Sequence, residues 1–435
     1  MATRVEIHNI SKENKNYKVF DELTFNSRNL YNCCMYLERQ FIFRNFVSDI
    51  NWLDVDKNSR KNKLSFKELY HLIRNNYEKD YSSLPSKIAN QVLIQANEVF
   101  SNHFKAVKEY KLNPSKYTGK PKLPKYKKND LRNIITYEKG SINHKTFNKN
   151  KDNEYEELTL SMTDIVLKTK LKLKDIKCVR VVKIVNSFKI EIVYEINDSK
   201  IKTDNGRYAS IDPGLNNLFT IAFNTGDAPV IINGRPIKSI NHYYNDKLAE
   251  YRSSLDLENN KRSDGIEIHT SNKIKKLTEK RNNKINDYLH KSSRMVVNLL
   301  VSMDVSILVI GKNAGWKQNI NIGKKNNQNF VQVPIARLIN ILTYKLNQVG
   351  IKVILIEEAY TSKCSFFDNE SIKKHKKNVG KRIKRGVFRT KTGKLINADV
   401  NAAYNIMKKA IPTAFKGGGI KGLAVNPGKI RFPKN

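Results

Sequence analysis

Residues 306–356 contain an apolar strand, a helix and a second apolar strand in succession, and this order constrains the fold more than any other feature. The runs SILVI (306–310) and IKVILI (351–356) have strand length, while residues 334–349 repeat Ile and Leu at helical spacing. Strand, helix and strand in this order form a parallel crossover. Continuously apolar strands are typical of a parallel sheet covered on both faces. We therefore expect an α/β domain in the C-terminal half.

Carboxylates follow the strands of this expected domain. Asp212 ends a predicted strand over 208–212, and Glu357 and Glu358 follow the strand 351–356. Asp399 lies at the start of an amphipathic helix predicted over 397–410. Because ligands of open α/β sheets bind at the carboxyl ends of the strands, these acids are candidates for one site.

Acids that converge repel one another unless cations lie between them, and hard oxygen ligands suit Mg²⁺. Two such ions about 3.5–4 Å apart would activate water and stabilise the leaving oxygen of a phosphodiester. The residues alone leave a plainer interpretation open. Asp212 precedes Pro213-Gly214, where an aspartate is an ordinary turn former. Asp399 could equally be an ordinary helix N-cap, and the Glu pair could equally be a plain strand end.

The first half of the chain predicts two further modules. It is mainly helical as far as about residue 110, most clearly over 86–110, where apolar residues recur on one face. Residues 155–197 have strand character, and 188–196 alternates between apolar and polar side chains. Residues 202–206 are rich in turn formers and mark a boundary.

The charge of the chain indicates a polyanionic partner. Lys and Arg number 80 against 41 acids, which gives a formal net charge of +39. A surface this basic favours nucleic acid. Membrane binding is disfavoured, because we find no apolar run of about 18 residues, no signal peptide and no lipidation motif. Four cysteines in 435 residues indicate a reducing compartment without a disulfide framework.

Two lysine- and arginine-rich segments are candidates for phosphate contact, although either is also a solvated surface segment. Residues 115–130 combine lysines with prolines that keep the chain extended, and residues 373–394 hold eleven Lys or Arg and no acid. Trp316 beside Lys317 is a weaker candidate for stacking on a base. The predicted nucleic-acid-binding residues are Lys120, Lys122, Lys125, Tyr126, Lys127, Lys128, Lys317, Arg382, Lys384, Arg385 and Arg389.

Several motifs occur together and in order. They are ASIDPGLNNL (209–218), YLHK (288–291), WKQ (316–318), FVQVP (330–334), AYTSKCS (359–365) and NADVNAAYNI (397–406), with GKPKLPKYKK upstream. This set resembles the TnpB family, the RNA-guided DNA endonucleases of small insertion sequences and relatives of the type V CRISPR effectors.

The resemblance implies a multidomain α/β fold: an RNase H-like (RuvC) mixed sheet with helices, preceded by a helical recognition domain and a β-barrel wedge domain. We expect the wedge over 1–20 and 113–204, the recognition domain over 21–112 and the nuclease domain over 205–410. A basic insert at 361–396 would replace the family's zinc ribbon, and 411–435 would be a basic flexible tail. The resemblance also implies a guide RNA from the element's own transcript, a double-stranded DNA target beside a short flanking motif, and a bacterial cytoplasmic, nucleoid-associated location.

The chain departs from the family at its catalytic glutamate. The family places this acid after the strand that corresponds to SILVI, where Gly311 stands here. We expect the acid to have moved to the adjacent strand, with Glu358 slightly favoured over Glu357. Because side chains alternate along a strand, we expect only one of the pair to face the site. The predicted metal ligands are Asp212, Glu358 and Asp399.

A second departure concerns zinc. Relatives carry two CxxC pairs before the last aspartate, whereas this chain offers only Cys364 and His375 there. A structural zinc needs four ligands, so we expect no zinc.

The sequence therefore predicts an RNA-guided, Mg²⁺-dependent DNA endonuclease. Two alternatives stay open. One is a nuclease-inactive, RNA-guided DNA-binding repressor, which the missing acid at Gly311 favours. The other is a transposase accessory protein that binds DNA without a guide. Whether the protein is a monomer or a homodimer does not follow from the sequence.

Overall fold

A computed structural model describes residues 2–148, 154–197, 199–264, 267–312, 332–415 and 422–430. The chain divides into two compact units, Met1–Asn197 and Asp198–Asn435. No helix within the described ranges has the long apolar stretch that crossing a membrane requires.

Four helices and seven strands are described in the first unit. The helices are α1 (Tyr17–Ile42), α2 (Phe66–Asn76), α3 (Glu78–Ser82) and α4 (Ser86–Leu112). The strands are β1 (Ala2–Ile10), β2 (Ile135–Glu138), β3 (Ile142–Asn148), β4 (Glu154–Leu160), β5 (Val166–Thr169), β6 (Ile176–Lys183) and β7 (Phe188–Ile196).

Helix α4 and strand β7 lie where the apolar periodicity predicts them. Helix α2 begins at a capping box, in which Ser65 Oγ accepts from Glu68 N at 3.3 Å and Glu68 Oε2 accepts from Ser65 N at 2.7 Å. The N-terminal residues correct the sequence interpretation, because Ala2–Ile10 form a strand rather than helix. That strand pairs antiparallel with β7.

The strands of this unit form two antiparallel sheets, with the orders β1-β7-β6-β2 and β3-β4-β5. Inward residues of both sheets and of the helices share one apolar core, which includes Phe20, Phe41, Phe100 and Phe188, each fully buried. A barrel-shaped wedge remains a prediction.

The second unit contains the expected α/β domain. Its strands are β8 (Tyr208–Pro213), β9 (Asn217–Phe223), β10 (Val230–Asn233), β11 (Ile307–Gly311), β12 (Lys352–Ile356), β13 (Lys381–Lys384), β14 (Val387–Arg389), β15 (Leu395–Asn397) and β16 (Gly428–Ile430). Its helices are α5 (Arg235–Asn260), α6 (Asn272–Ser302), α7 (Ile335–Asn347) and α8 (Ala398–Ala410).

The main sheet is mixed, with the order β12-β11-β8-β9-β10-β16. Strands β11 and β12 are parallel and are joined through α7, as the apolar pattern predicts. Strand β8 is parallel to β11 and antiparallel to β9. Ala209, Ile211 and Ile310 share a core with α6 and α7, whereas Ala222 packs with Val400 and Ala403 of α8. Helices therefore cover both faces of the sheet.

Three parts of this unit were not anticipated. Helix α5 follows β10, and β13, β14 and β15 form a small antiparallel sheet within the predicted basic insert. Within residues 411–435, for which the sequence predicts a flexible tail, Gly428–Ile430 form strand β16 and pair in parallel with β10.

Candidate active site

Asp212 lies at the carboxyl end of β8, on the face that α8 covers. Side chains alternate along a strand, so Asp212 shares its face with Ser210. Ser210 Oγ donates to Ala403 O of α8 at 2.7 Å. The apolar alternation of β8, with Ala209 and Ile211 in the opposite core, thus directs the Asp212 carboxylate toward α8.

Asp399 lies in the first turn of α8. Asn397 caps this helix, because its side-chain oxygen accepts from Asp399 N at 3.0 Å and from Val400 N at 3.1 Å. Two side chains hold the Asp399 carboxylate: Asn217 Nδ2 donates to Oδ2 at 2.8 Å, and Arg382 Nη2 pairs with Oδ1 at 3.1 Å. Asn217 opens β9, so the partner strand of Asp212 also orients Asp399.

The two glutamates after β12 differ in exposure. Glu357 is exposed and Glu358 is half-buried. The chain turns directly after them, because Thr361 N and Thr361 Oγ1 both donate to Glu358 O, at 3.2 and 2.8 Å. Tyr360 in this turn has a φ of 66°, which is left-handed backbone.

Gly311, the position where the family resemblance expects an acid, lies directly beneath Glu358. Strands β11 and β12 are in register with Gly311 opposite Ile356, so Glu358 follows two residues later on the same side. A Cβ atom at position 311 would lie 2.7 Å from Glu358 Oε2 and 2.7 Å from Ile406 Cδ1. Glu358 and α8 therefore fill the space that a side chain at 311 would need.

Electrostatics links the three acids. Burial raises the pKa of Asp212 well above its usual range, and the charges of Glu358 and Asp399 raise it further, while Arg382 opposes the shift. Burial also raises the pKa of Glu358, to about 7. A buried aspartate whose charged form is destabilised by two neighbouring carboxyl groups fits a divalent cation with oxygen ligands, and this donor set matches Mg²⁺.

The predicted phosphate-binding residues near 120 belong to an extended segment along α1. Lys120, Lys122, Lys125 and Lys128 are exposed. Lys127 differs from them: its backbone N–H donates to Asn32 Oδ1 at 2.9 Å, and its ammonium lies 4.9 Å from the Tyr31 ring centroid.

Burial lowers the pKa of the half-buried Lys127. The neighbouring Tyr126 ring lies beneath the Arg39 guanidinium, at 4.9 Å. Lys127 therefore packs against α1 and is less available to a ligand than the other lysines of its segment.

The second basic segment, residues 373–394, contains strands β13 and β14 of the small sheet, and β15 follows it directly. Lys384, Arg385 and Arg389 are exposed on it. Arg382 differs, because it reaches Asp399 and thereby joins the carboxylate cluster, a role that the sequence does not reveal. Lys317 lies outside the described residues.

Glu370 is a buried acid of this segment that sequence reasoning missed. Its Oε2 accepts from Ser365 N at 2.6 Å, and its Oε1 accepts from Asn378 Nδ2 and Val379 N, each at 3.0 Å. It also lies with Cys364 and His375 in a group whose ligand atoms are all within 4.8 Å of one another. The structure thus brings together three potential donors where the sequence suggests two, and the absence of zinc stays a prediction.

Two family models match the second half of the chain. One, described as "Probable transposase", matches residues 191–317, and the other, "Cas12f1-like, TNB domain", matches residues 336–406. These ranges contain all three acids of the cluster.

Similar proteins agree with these matches. A TnpB-like protein, ORF457 of Acidianus two-tailed virus, is 24% identical over 213 residues, which are 48% of this chain and 43% of the relative. The match therefore spans less than half the length of that curated relative. The protein in a cryo-EM structure of a Cas12f1–sgRNA–target DNA complex aligns with a TM-score of 0.52 at 15% identity, over 89% of this chain and 82% of that one. The likeness identifies a shared fold of mixed sheets and helices, of the RuvC type.

Proposed function

We propose that this chain, a member of the TnpB family, is an RNA-guided endonuclease that hydrolyses DNA with Mg²⁺ held by Asp212, Glu358 and Asp399. One observation carries the proposal: the carboxylates of three separate chain segments converge at one sheet edge, with Glu358 above Gly311. A plain structural interpretation explains Asp212 as a turn former and Glu358 as a strand end, but not Asp399 as a cap, because Asn397 caps α8. It does not explain why they share one edge at an electrostatic cost.

The position of Glu358 supports a relocated catalytic glutamate. Its side chain occupies the space above the residue that lacks the acid, so the carboxylate approaches the cluster from the neighbouring strand. Glu357 is exposed and its backbone oxygen accepts from Lys409 Nζ at 2.7 Å, which makes it the weaker candidate.

In hydrolysis, water adds to phosphorus and the bond to the leaving oxygen breaks, and that oxygen takes up a proton. Bound Mg²⁺, as one ion or two, would supply an activated water and offset charge on the phosphate. Asp212 would hold its carboxylate on a rigid strand, and Asn217 would fix the orientation of Asp399. Arg382 would be available to a phosphate oxygen once a cation satisfies Asp399.

Recognition of the target would fall mainly to base pairing with a guide RNA, while the protein would bind backbone and a short flanking motif. The net charge of +39 supports extensive phosphate contact. We assign the recognition domain, 21–112, and the wedge, 1–20 and 113–204, mainly to the first unit, which ends at Asn197 and so leaves residues 198–204 of the expected wedge in the second unit. Exposed Lys120, Lys122, Lys125 and Lys128, together with Lys384, Arg385 and Arg389, would contact the backbone.

The proposal is tested by expressing the protein with its flanking element DNA and isolating any bound RNA. The complex is then given plasmids with a randomised flank beside the guide-matched sequence, with Mg²⁺ or with EDTA. We expect cleavage with Mg²⁺ that Asp212→Ala and Glu358→Ala each abolish, while the matched variant Glu357→Ala retains it. Cleavage that survives Glu358→Ala and is lost with Glu357→Ala would refute the assignment of Glu358.

A nuclease-inactive RNA-guided DNA-binding protein is the second candidate, because Gly311 lacks the acid and Arg382 pairs with Asp399. It predicts guided target binding without cleavage in Mg²⁺ or Mn²⁺. A guide-independent accessory protein predicts DNA binding that does not depend on co-purified RNA. Target binding after RNase treatment separates these two outcomes.

A further inference from the structure

A cavity of about 260 Å³ lies between α5 and α6 in the second unit, apart from the carboxylate cluster. Ser239, Ile240, Tyr243 and Tyr244 line it from α5, and Leu277, Lys280, Arg281 and Lys284 line it from α6. The lining therefore combines apolar side chains, two aromatic rings and three cations, and contains no acid.

The inner wall of this cavity is fixed by polar contacts. Tyr244 Oη lies 3.1 Å from Thr278 Oγ1, and the Arg281 guanidinium lies 5.3 Å from the Tyr244 ring centroid. Arg281 Nε also donates to Asn241 Oδ1 at 2.9 Å, and its Nη2 donates to Gln332 O at 3.2 Å. The wall keeps its shape without a ligand, which lowers the entropy cost of binding one.

The rim is open and positively charged. Tyr243 is 56% exposed, although a large ring is usually covered. Lys280 and Lys284 are exposed and lie one helical turn apart, so their ammonium groups can reach the same ligand. The next acid along α6, Asp287, already pairs with Lys291 at 2.9 Å.

Size and chemistry together select the ligand class. Pockets for drug-sized ligands begin at about 300 Å³, so this cavity suits a single ring system. Aromatic faces beside lysines are the features that bind single-stranded nucleic acid, through stacking on bases and ion pairs with phosphates. A nucleotide satisfies both requirements at once.

The location of the cavity links it to the acids. Helix α5 begins against the turn that follows Asp212: Gly234 N donates to Asn216 O at 2.8 Å, and Lys238 Nζ donates to Asn216 Oδ1 at 2.9 Å. Asn217, next in that turn, holds Asp399. From Arg235 to Tyr243 the helix rises about 12 Å, at about 1.5 Å per residue.

We propose that this cavity binds a base of the DNA strand that enters the carboxylate cluster, a few nucleotides from the scissile phosphate. The base stacks on Tyr243, and the adjoining phosphate contacts Lys280 and Lys284. The identity of the strand rests on the function proposed above. The binding of a single-stranded nucleotide does not.

The test measures binding of a fluorescent 20-nucleotide single-stranded DNA to the full chain carrying Asp212→Ala, which separates binding from cleavage. We expect Tyr243→Ala to weaken binding about tenfold, because one stacked base is lost, and Tyr243→Phe to restore it. Tyr251→Ala, on the same helix outside the cavity, is the matched control and should leave affinity unchanged.

The lysines are tested by the salt dependence of the same binding. Lys280→Ala with Lys284→Ala should reduce the slope of log K against log salt by about 1.4, since each lost phosphate contact on a single strand contributes about 0.7. The matched pair Lys275→Ala with Lys276→Ala lies on the same helix outside the cavity and should leave the slope unchanged. Equal effects of the two pairs would overturn the proposal in favour of non-specific attraction to α6.

Three further outcomes assign the strand and separate the two proposals. If the Tyr243 variant reduces the amount of co-purifying RNA and leaves DNA affinity intact, the cavity binds the guide and the DNA assignment is wrong. If DNA binding depends on Tyr243 but the protein with an intact Asp212 never cleaves, the nuclease proposal fails and the cavity proposal stands. If the protein with an intact Asp212 cleaves DNA but Tyr243→Ala leaves DNA affinity unchanged, only the cavity proposal is refuted.

Discussion

Glu358 and Glu370 are glutamates of the same unit, twelve residues apart, and their carboxylates have opposite surroundings. Glu370 is 6% exposed and accepts two backbone N–H groups and one side-chain amide. Glu358 is half-buried beside Asp212, whose pKa it raises. The Glu370 carboxylate meets hydrogen-bond donors, and the Glu358 carboxylate lies where its charge disfavours ionisation of Asp212.

These different surroundings distinguish a structural acid from a candidate cation ligand. A buried carboxylate that accepts several hydrogen bonds is stabilised by the fold and organises the chain around it. A carboxylate held against other carboxylates is destabilised unless a cation completes the site. Burial alone does not separate the two cases, but the sign of the surrounding charge does.

The largest expected effects are on cleavage, and the first concerns the space shared by Glu358 and Gly311. Gly311→Ala should reduce cleavage about a hundredfold, because its Cβ would displace the Glu358 carboxylate, and misplacement of a reacting group by about 1 Å costs this much. Gly422→Ala is the matched control, since a Cβ there meets no atom within 4 Å. Plasmid cleavage rates measure both.

A double variant then tests whether the two positions share one function. Glu358→Ala should lower cleavage about a thousandfold or more, through loss of a metal ligand. Adding Gly311→Glu returns a carboxylate from the neighbouring strand and should recover part of that loss. If the double variant binds Mg²⁺ no better than Glu358→Ala does by calorimetry, the two positions do not substitute for each other.

Glu370 should behave as a structural residue. Glu370→Ala leaves the buried N–H of Ser365 and the N–H of Val379 without their acceptor, which should cost roughly 3 kcal/mol of local stability. Hydrogen exchange of peptides over 361–396 would measure this loss. Mg²⁺ binding by the carboxylate cluster should persist, and its abolition would contradict the division of roles between the two glutamates.

Glu38 in the first unit is an intermediate case. It is fully buried and accepts from Leu64 N at 3.0 Å and Asn97 Nδ2 at 3.3 Å, and burial raises its pKa to about 7. Because the folded state holds this proton more tightly than the unfolded state, stability should fall as the pH rises from about 4.5 to 7. The total is about 3 to 4 kcal/mol at 1.36 kcal/mol per pKa unit.

This pH dependence is measured by urea unfolding at several pH values, with Trp52 fluorescence as the readout in a Trp316→Phe background. Glu38→Gln removes the titration and should flatten the profile in that pH window. An unchanged slope in Glu38→Gln would assign the dependence to other groups.

The smallest expected effect is at Arg382. Its ion pair with Asp399 is 43% exposed on the arginine side, so Arg382→Ala should change stability by less than about 1 kcal/mol. Affinity for Mg²⁺ in the absence of DNA should rise a few-fold, because a cation competing for Asp399 Oδ1 is gone. The control is Lys384→Ala, which removes a nearby exposed cation, and calorimetry measures the Mg²⁺ affinity of both variants. Equal rises in affinity would indicate a general charge effect.

The sequence predicted the elements whose apolar pattern is strong. The run of apolar residues in β11 and β12, and the helical spacing in α7, correspond to the parallel crossover that carries Glu358. Helix α5 escaped notice because only Ile237, Asn241 and Leu255 of its 26 residues are buried, which leaves no apolar stripe. Strand β16 is three residues long and too short to show a period.

The candidate site was predictable where strand geometry determines it. Alternation along β12 favours one glutamate of the pair, and that argument needs no coordinates. The contacts of Glu370 and Arg382 were not predictable, because their partners lie elsewhere along the chain or are backbone groups common to every residue. The close approach of Gly311 to Glu358 is visible only once the position of the neighbouring strand β12 is known.

The pairing of β1 with β7 has a consequence for biosynthesis. Residues 2–10 lie opposite residues 188–196, so β1 waits for its partner until nearly 190 more residues have been synthesised. At about 5–20 residues per second, this takes on the order of 10 to 40 s. The helices α1 to α4 are synthesised within that interval and can fold first. A nascent chain therefore exposes an unpaired β1, which makes this strand a natural site for chaperone binding during translation.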